Sequence, residues 1–190
     1  MRIIAGKYKG RPLIAPTTDK TRPTSDRARE SVFNILTHAP WAPELDGARI
    51  LDLFAGSGAL GFEALSRGGH FCLFVDTAPA ARGAIRQNID ALSLFGQTRL
   101  HRRSALALGP KPAGLGLPFD LVFIDPPYRQ GFIRPCLQAI REGGWIREAA
   151  LIVAETGEDE LLDLGGWTCL DTRISGAAKF WFLTPLGSSD

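Results

Sequence analysis

The chain has 190 residues, 45% hydrophobic and 22% charged, which excludes a disordered tail, a collagen-like repeat or a low-complexity polymer and predicts one domain of ordinary size. The formal net charge is only +2, but it is unevenly spread: residues 1–35 hold eight Lys/Arg against three Asp/Glu, so this stretch is +5 and the remainder −3. A basic arm on a mildly acidic body predicts an anionic partner.

Cys72, Cys136 and Cys169 lie far apart and form no ligand spacing with the three histidines, so they are expected as free thiols in a reducing compartment, with no metal. No apolar run reaches the ~18 residues that span a bilayer. The opening residues, Met1 to Lys7, carry too short an apolar stretch for a secretory signal. The expected location is the cytoplasm.

Arg2–Ala5 and Pro12–Ala15 flank the lysine-rich turn Gly6–Gly10 and read as two short strands of a hairpin. Arg22-Pro23-Thr24-Ser25-Asp26 starts a helix, with Thr24 or Ser25 as cap and Asp26 at the positive end of the helix dipole. Ala28, Val32, Ile35 and Leu36 follow at helical spacing and predict a buried face, with Arg27 and Arg29 pointing elsewhere. His38 to Pro43 ends that helix. From Arg49 the pattern alternates. Strands are predicted at 50–54, 70–76, 98–103, 119–124 and 149–155, and helices at 58–67, 79–94 and 132–141. Residues 168–173 and 178–183 close the chain as an antiparallel hairpin. This is a doubly wound α/β domain with a mostly parallel sheet, whose nearly continuous apolar strands suit coverage on both faces.

Asp52-Leu53-Phe54-Ala55-Gly56-Ser57-Gly58-Ala59-Leu60-Gly61 places GxGxxG between a strand and a helix, and Asp76 ends the next strand 20 positions after Gly56. Glycines there let a ligand approach the main chain, and a carboxylate at Asp76 can take both ribose hydroxyls of an adenosine. NAD and S-adenosylmethionine use the same wall of such a sheet. Two features favour the sulfonium cofactor. Asp52, inside the first strand, can face the ammonium of a methionine moiety. The fourth strand ends in Asp125-Pro126-Pro127-Tyr128, which has no role in hydride transfer. An exocyclic amine on a nucleobase is a poor nucleophile because its lone pair is delocalised into the ring. Two acceptors, the Asp125 carboxylate and the Pro126 carbonyl held rigid by Pro127, can bend it toward tetrahedral geometry, and Tyr128 offers a stacking face for an unstacked base. Pro135-Cys136 falls inside a predicted helix, so Cys136 reads as core, as do Trp181 and Phe182.

Nearly end to end, the chain resembles the RsmD family. The residues that carry the resemblance are Arg2–Gly6 with Gly10-Arg11, Arg22–Glu30 with Phe33-Asn34, the glycine loop from Asp52 through Arg67, and Asp125–Tyr128. The resemblance implies a Rossmann-like class I methyltransferase with a seven-stranded sheet that uses S-adenosyl-L-methionine. It implies methylation of N2 of one guanine in 16S ribosomal RNA, within a largely assembled small subunit. Asp52, Phe54, Gly56, Ser57, Gly58, Asp76, Thr77, Ser104 and Ala105 are the expected cofactor-binding residues, and Asp125, Pro126 and Tyr128 the catalytic ones. Two positions depart from the family: Ser104 stands where an Asp or Asn often holds the adenine amine, and Asp76 where Glu is frequent. The basic arm fits the same reading, with residues 1–40 as an RNA-facing extension of a methyltransferase domain over 41–190. Lys7, Lys9, Arg11, Arg22, Arg27 and Arg29 are expected on phosphates, and Pro127 beside the base. Two rivals remain from the sequence: an N6-adenine methyltransferase acting on DNA or RNA, and a non-catalytic RNA-binding assembly module.

Overall fold

The computed structural model describes residues 1–17 and 25–187. Helix α1 (Asp26–His38) begins where Ser25 Oγ accepts the Ala28 amide at 3.1 Å, and it buries Ala28, Val32, Phe33 and Leu36. The chain then alternates through β1 (Arg49–Leu53), α2 (Ala59–Ser66), β2 (Phe71–Val75), α3 (Pro79–Leu92), β3 (Thr98–His101), β4 (Phe119–Ile124) and α4 (Ile133–Glu142). It closes with β5 (Ile146–Gly157), β6 (Trp167–Ser175) and β7 (Ala178–Pro185).

The seven strands lie in the order β3-β2-β1-β4-β5-β7-β6. The first five are parallel and β7 is antiparallel to both of its neighbours. The residue pattern explains why β7 lies inside and β6 at the edge. Phe180 to Leu183 are all buried, whereas most of β6 is exposed. Helices α1, α2 and α3 cover one face of the sheet around Phe33, Phe62, Phe74 and Phe123. Helix α4 and the loop at Trp145 cover the other, around Leu51, Val122 and Ile152. Gly61 lets α2 sit against β2: a Cβ there would lie 2.4 Å from the Phe74 ring and 2.7 Å from Cys72 Sγ.

Several boundaries differ from expectation. Helix α3 ends at Leu92 rather than Leu94, because Ser93 adopts φ +57° and turns the chain out. Strand β5 starts at Ile146, earlier than predicted, and β3 ends at His101, earlier than Arg103. The N-terminal pair makes one isolated bridge, Arg2 to Pro12, instead of two strands. Three backbone bonds still cross the pair, from the Ile3 amide to the Arg11 carbonyl, from Gly10 to Ile3 and from Leu13 to Met1, while other amides turn to side chains of the body. Ile4 and Ala5 donate to Glu63, Tyr8 to Ser66 Oγ, and Ile14 to Asn88 Oδ1. Ile3 and Leu13 join the same buried cluster as α1 to α3, so the core runs across the boundary expected at residue 40.

Candidate active site

Strand order reverses between β1 and β4, the kind of switch point at which open α/β sheets take ligands. Leu53 and Ile124 are the last pair of this ladder, so the glycine loop and Asp125–Tyr128 leave the sheet side by side. The Asp125 amide donates to the Leu53 carbonyl at 3.4 Å and joins the two loops at their root.

Phe54, Gly56 and Gly58 all have positive φ, at 56°, 58° and 78°. For Phe54 that is a costly conformation for a side-chain-bearing residue, held by the surrounding turn. A Cβ on Gly56 would meet only the Phe54 carbonyl, 3.9 Å away, so the main chain there borders open space that a ligand can fill. Asp76 Oδ2 accepts the Gly56 amide at 2.9 Å, and Oδ1 accepts the Ala78 amide at 2.8 Å. A carboxylate has about four lone-pair sites, so these bonds leave acceptor capacity for ribose hydroxyls. The open glycine turn and the adjacent acid together fit an adenosine-bearing cofactor.

The other expected cofactor residues divide. Asp52 is buried beneath α2, where Oδ2 accepts the Gly61 amide at 3.1 Å. Burial, with a contribution from the Asp76 charge, pushes its carboxyl well above the usual range. It therefore pins helix to strand. Ser57 turns its hydroxyl to Met1 Sδ at 3.4 Å, and its carbonyl accepts from Asn88 at 3.0 Å. Thr77 is exposed beside Asp76, and its carbonyl accepts from Arg82. Ser104 Oγ accepts the Leu106 amide at 3.2 Å. Ala105 is buried, with its carbonyl 3.5 Å from the Cys136 thiol. Burial pushes that thiol up to about 12, so Cys136 is a core residue. Phe132, which the sequence did not single out, lies parallel to Phe54, with ring centroids 6.1 Å apart and planes 2° from parallel.

In the second loop, Asp125 is half-buried, Pro126 buried, Pro127 exposed and Tyr128 half-buried. Tyr128 Oη donates to Glu155 Oε1 at 2.5 Å. The loop is braced from outside, where the Arg129 amide donates to Glu160 and the Arg129 guanidinium takes both oxygens of Asp159 at 2.9 and 3.1 Å. Beside Tyr128 lies a cavity of about 510 Å³. Its walls are Ser25, Arg27 and Ser31 of the α1 region on one side, and Arg173 to Ala178 around the β6–β7 turn on the other. Glu155 and Arg173 line this cavity and were missed in the sequence. Glu155 carried a usable signal: it is an acid ending an apolar parallel strand, as Asp76 and Asp125 are. Arg173 carried none.

The basic arm is not one surface. Arg27 is exposed at the cavity. Lys7 and Lys9 are exposed where the Lys7 amide meets the Ser66 carbonyl, at the end of α2 away from the glycine loop. Arg11 reaches the Ala91 carbonyl on α3 at 2.6 Å. Arg29 departs from expectation, for it is fully buried and bonded to Asp26 at 2.6 Å and to the Arg2 carbonyl at 2.8 Å. Its spacing from Phe33 and Leu36 places it on the inward face of α1. It therefore ties the arm down and cannot meet RNA. Arg22 lies outside the described residues. Among those residues, no helix is long and apolar enough to cross a membrane.

Residues 1–184 match the family model described as "Conserved hypothetical protein 95". The chain is 41% identical over 155 residues to YlbH of Bacillus subtilis, covering 82% of each. It is 34% identical over 182 residues to "Ribosomal RNA small subunit methyltransferase D" of Escherichia coli K12, covering 95% of this chain and 87% of that protein. The solved structure of Escherichia coli yhhF superposes with a TM-score of 0.79 at 32% identity, covering 97% of both chains. The glycine loop, the DPPY turn and the strand order thus fall within one lineage, and the chain belongs to the RsmD family, with a Rossmann-like class I methyltransferase fold.

Proposed function

We propose that this protein transfers a methyl group from S-adenosylmethionine to the exocyclic N2 of a guanine in 16S ribosomal RNA, presented by a largely assembled small subunit. The observation that carries the reading is the adjacency of the glycine loop and Asp125–Tyr128 across the β1–β4 switch point. The name of the Escherichia coli relative supports the RNA class.

When bound, the cofactor supplies an electrophilic methyl group on a sulfonium and leaves as a neutral thioether. The Gly56 main chain, with Asp76 beside it, holds the nucleoside end. Asp125 and the Pro126 carbonyl accept the two N–H bonds of the target amine, which localises the nitrogen lone pair for in-line attack. Transfer of that methyl group to the amine would leave the positive charge on its nitrogen. The cationic nitrogen then releases one proton to the Asp125 carboxylate, which passes it to water. Tyr128 stacks on the base, and a guanine enters the cavity only after leaving its stack. Arg27 and Arg173 line the cavity, where their charges can meet phosphates of the RNA.

The test is nucleoside analysis of small-subunit RNA from cells with and without this protein. The expected result is N2-methylguanosine that disappears with the gene and returns when purified protein and S-adenosylmethionine are added to the deficient subunits. Loss of a methyladenosine instead would overturn the reading.

A further inference from the structure

Glu155 is 5% exposed, yet it lines the 510 Å³ cavity and holds the Tyr128 hydroxyl. A carboxylate removed from water is costly, so its place at the wall of a cavity asks for a purpose beyond packing. The register shows where it stands. Ile124 of β4 pairs with Ala154 of β5, so Asp125 and Glu155 follow that pair on adjacent parallel strands. Neighbouring strands are ~4.8 Å apart. Two acids therefore stand side by side, Asp125 just past the end of β4 in the DPPY turn and Glu155 still within β5, paired with Phe180 and holding the Tyr128 hydroxyl.

Resting on the function proposed above, we infer that Glu155 is the specificity-determining residue that accepts the N1–H of the target guanine. Three common bases carry an exocyclic amine. In adenine the ring nitrogen next to that amine is N1, an acceptor. In cytosine it is N3, also an acceptor. In guanine alone, a ring N–H donor stands next to the amine. With the amine on Asp125 and the Pro126 carbonyl, the neighbouring ring position of a base lying against Tyr128 falls toward the next strand, where Glu155 is. A carboxylate there attracts guanine and sets lone pair against lone pair for adenine or cytosine. A carboxylate has about four lone-pair sites, so accepting from Tyr128 does not by itself exhaust it. Tyr128 has a second duty in this arrangement, because its hydroxyl holds the Glu155 carboxylate in place at the cavity wall. DPPY thus accepts any planar amine, and the acid on the adjoining strand chooses which. A site that binds a substrate N–H discriminates strongly against the analogue lacking it, because the buried acceptor is left unpaired.

The experiment uses full-length protein, labelled S-adenosylmethionine, and small subunits from cells lacking the protein, with either guanine or adenine at the methylated position. Wild type should methylate the guanine subunits and leave the adenine subunits unlabelled. Glu155→Gln is nearly isosteric and can still accept from Tyr128, but its amide can also donate to an adenine N1. It should lower kcat/KM on guanine by about 10-fold or more and shrink the guanine-to-adenine ratio by at least as much. Its affinity for S-adenosylmethionine by calorimetry should stay unchanged. Equal rates and an unchanged ratio would overturn the inference. So would a loss of rate that tracks weaker cofactor binding with the ratio intact, since that describes a structural role. If Glu155→Gln does not fold, Glu155→Asp keeps the charge but retracts it by one methylene. It should reduce turnover on guanine at normal cofactor affinity, and full turnover would count against the inference. Wild type labelling N6 of adenine would overturn both this inference and the function on which it rests, whereas N2-methylguanosine from an unselective wild type would overturn this inference alone.

Discussion

Glu63 Oε2 accepts the amide proton of Ile4 at 2.8 Å, across 59 residues of sequence. Its other oxygen accepts the Ala5 amide at 3.0 Å and Arg67 Nε at 2.8 Å. Glu63 is fully buried, and these partners satisfy it. From the other side, Arg29 holds the Arg2 carbonyl. The first residues are thus clamped between an acid on α2 and a base on α1, which accounts for why charged residues appear in otherwise apolar helix faces.

Removing that acid should be expensive. Glu63→Ala leaves two amides and a guanidinium without their acceptor, and the expected loss is about 2–4 kcal/mol in denaturant unfolding. Glu63→Gln keeps one acceptor oxygen and should recover part of it. Hydrogen exchange at Ile4 and Ala5 should accelerate in both variants, more in the alanine.

On the proposed mechanism, Asp125→Ala should slow transfer by about 100-fold or more, since it removes one of the two acceptors proposed for the amine. Cofactor affinity should be retained, because Asp125 is assigned to the base. Single-turnover rates together with calorimetry check this, and wild-type turnover would count against the mechanism.

Asp76→Ala should raise the cofactor dissociation constant by about 10-fold or more. Two effects combine here: loss of the proposed ribose acceptor, and release of the Gly56 and Ala78 amides that it now holds. A titration indistinguishable from wild type would remove Asp76 from the binding site.

Asp52 carries a pH dependence with a definite sign. Burial raises its folded-state carboxyl well above the unfolded value. Between those two values the folded chain holds a proton that the unfolded chain has lost. Stability from this group is therefore full below the ordinary carboxylate range and falls as pH rises through that window, by up to about 1.4 kcal/mol per pH unit. Asp52→Asn keeps an acceptor for Gly61 and removes the slope. Melting curves across mildly acidic to neutral pH should be flatter for the variant, with its advantage over wild type growing as pH rises.

Much of this was legible in the residues because it is local. The glycine loop, the proline-stiffened turn after β4 and the alternation of apolar runs are short-range signals, and each stands where it was expected. What escaped detection depends on which strands become neighbours. Glu155 matters because β5 lies beside β4. Arg173 matters because the β6–β7 turn returns to face α1. Phe132 is notable only once its ring is seen against Phe54. The N-terminal hairpin forms but falls short of two full strands, and its sequence does not show that Glu63, Ser66 and Asn88 take the amides of Ile4, Ala5, Tyr8 and Ile14. Arg29 is different: helical spacing already placed it inward, and its charge argued the other way.

The three thiols have unequal access. Cys72 and Cys136 are buried, and Cys169 alone is exposed, on β6 at the sheet's outer edge. A maleimide dye should therefore attach at one position without mutagenesis, on the strand that feeds the β6–β7 turn at the cavity wall. Partial burial raises the Cys169 thiol, so labelling should proceed faster in mildly alkaline buffer. A fluorophore there would report docking of the proposed subunit substrate by anisotropy, and would do so in a chain with no side chain replaced.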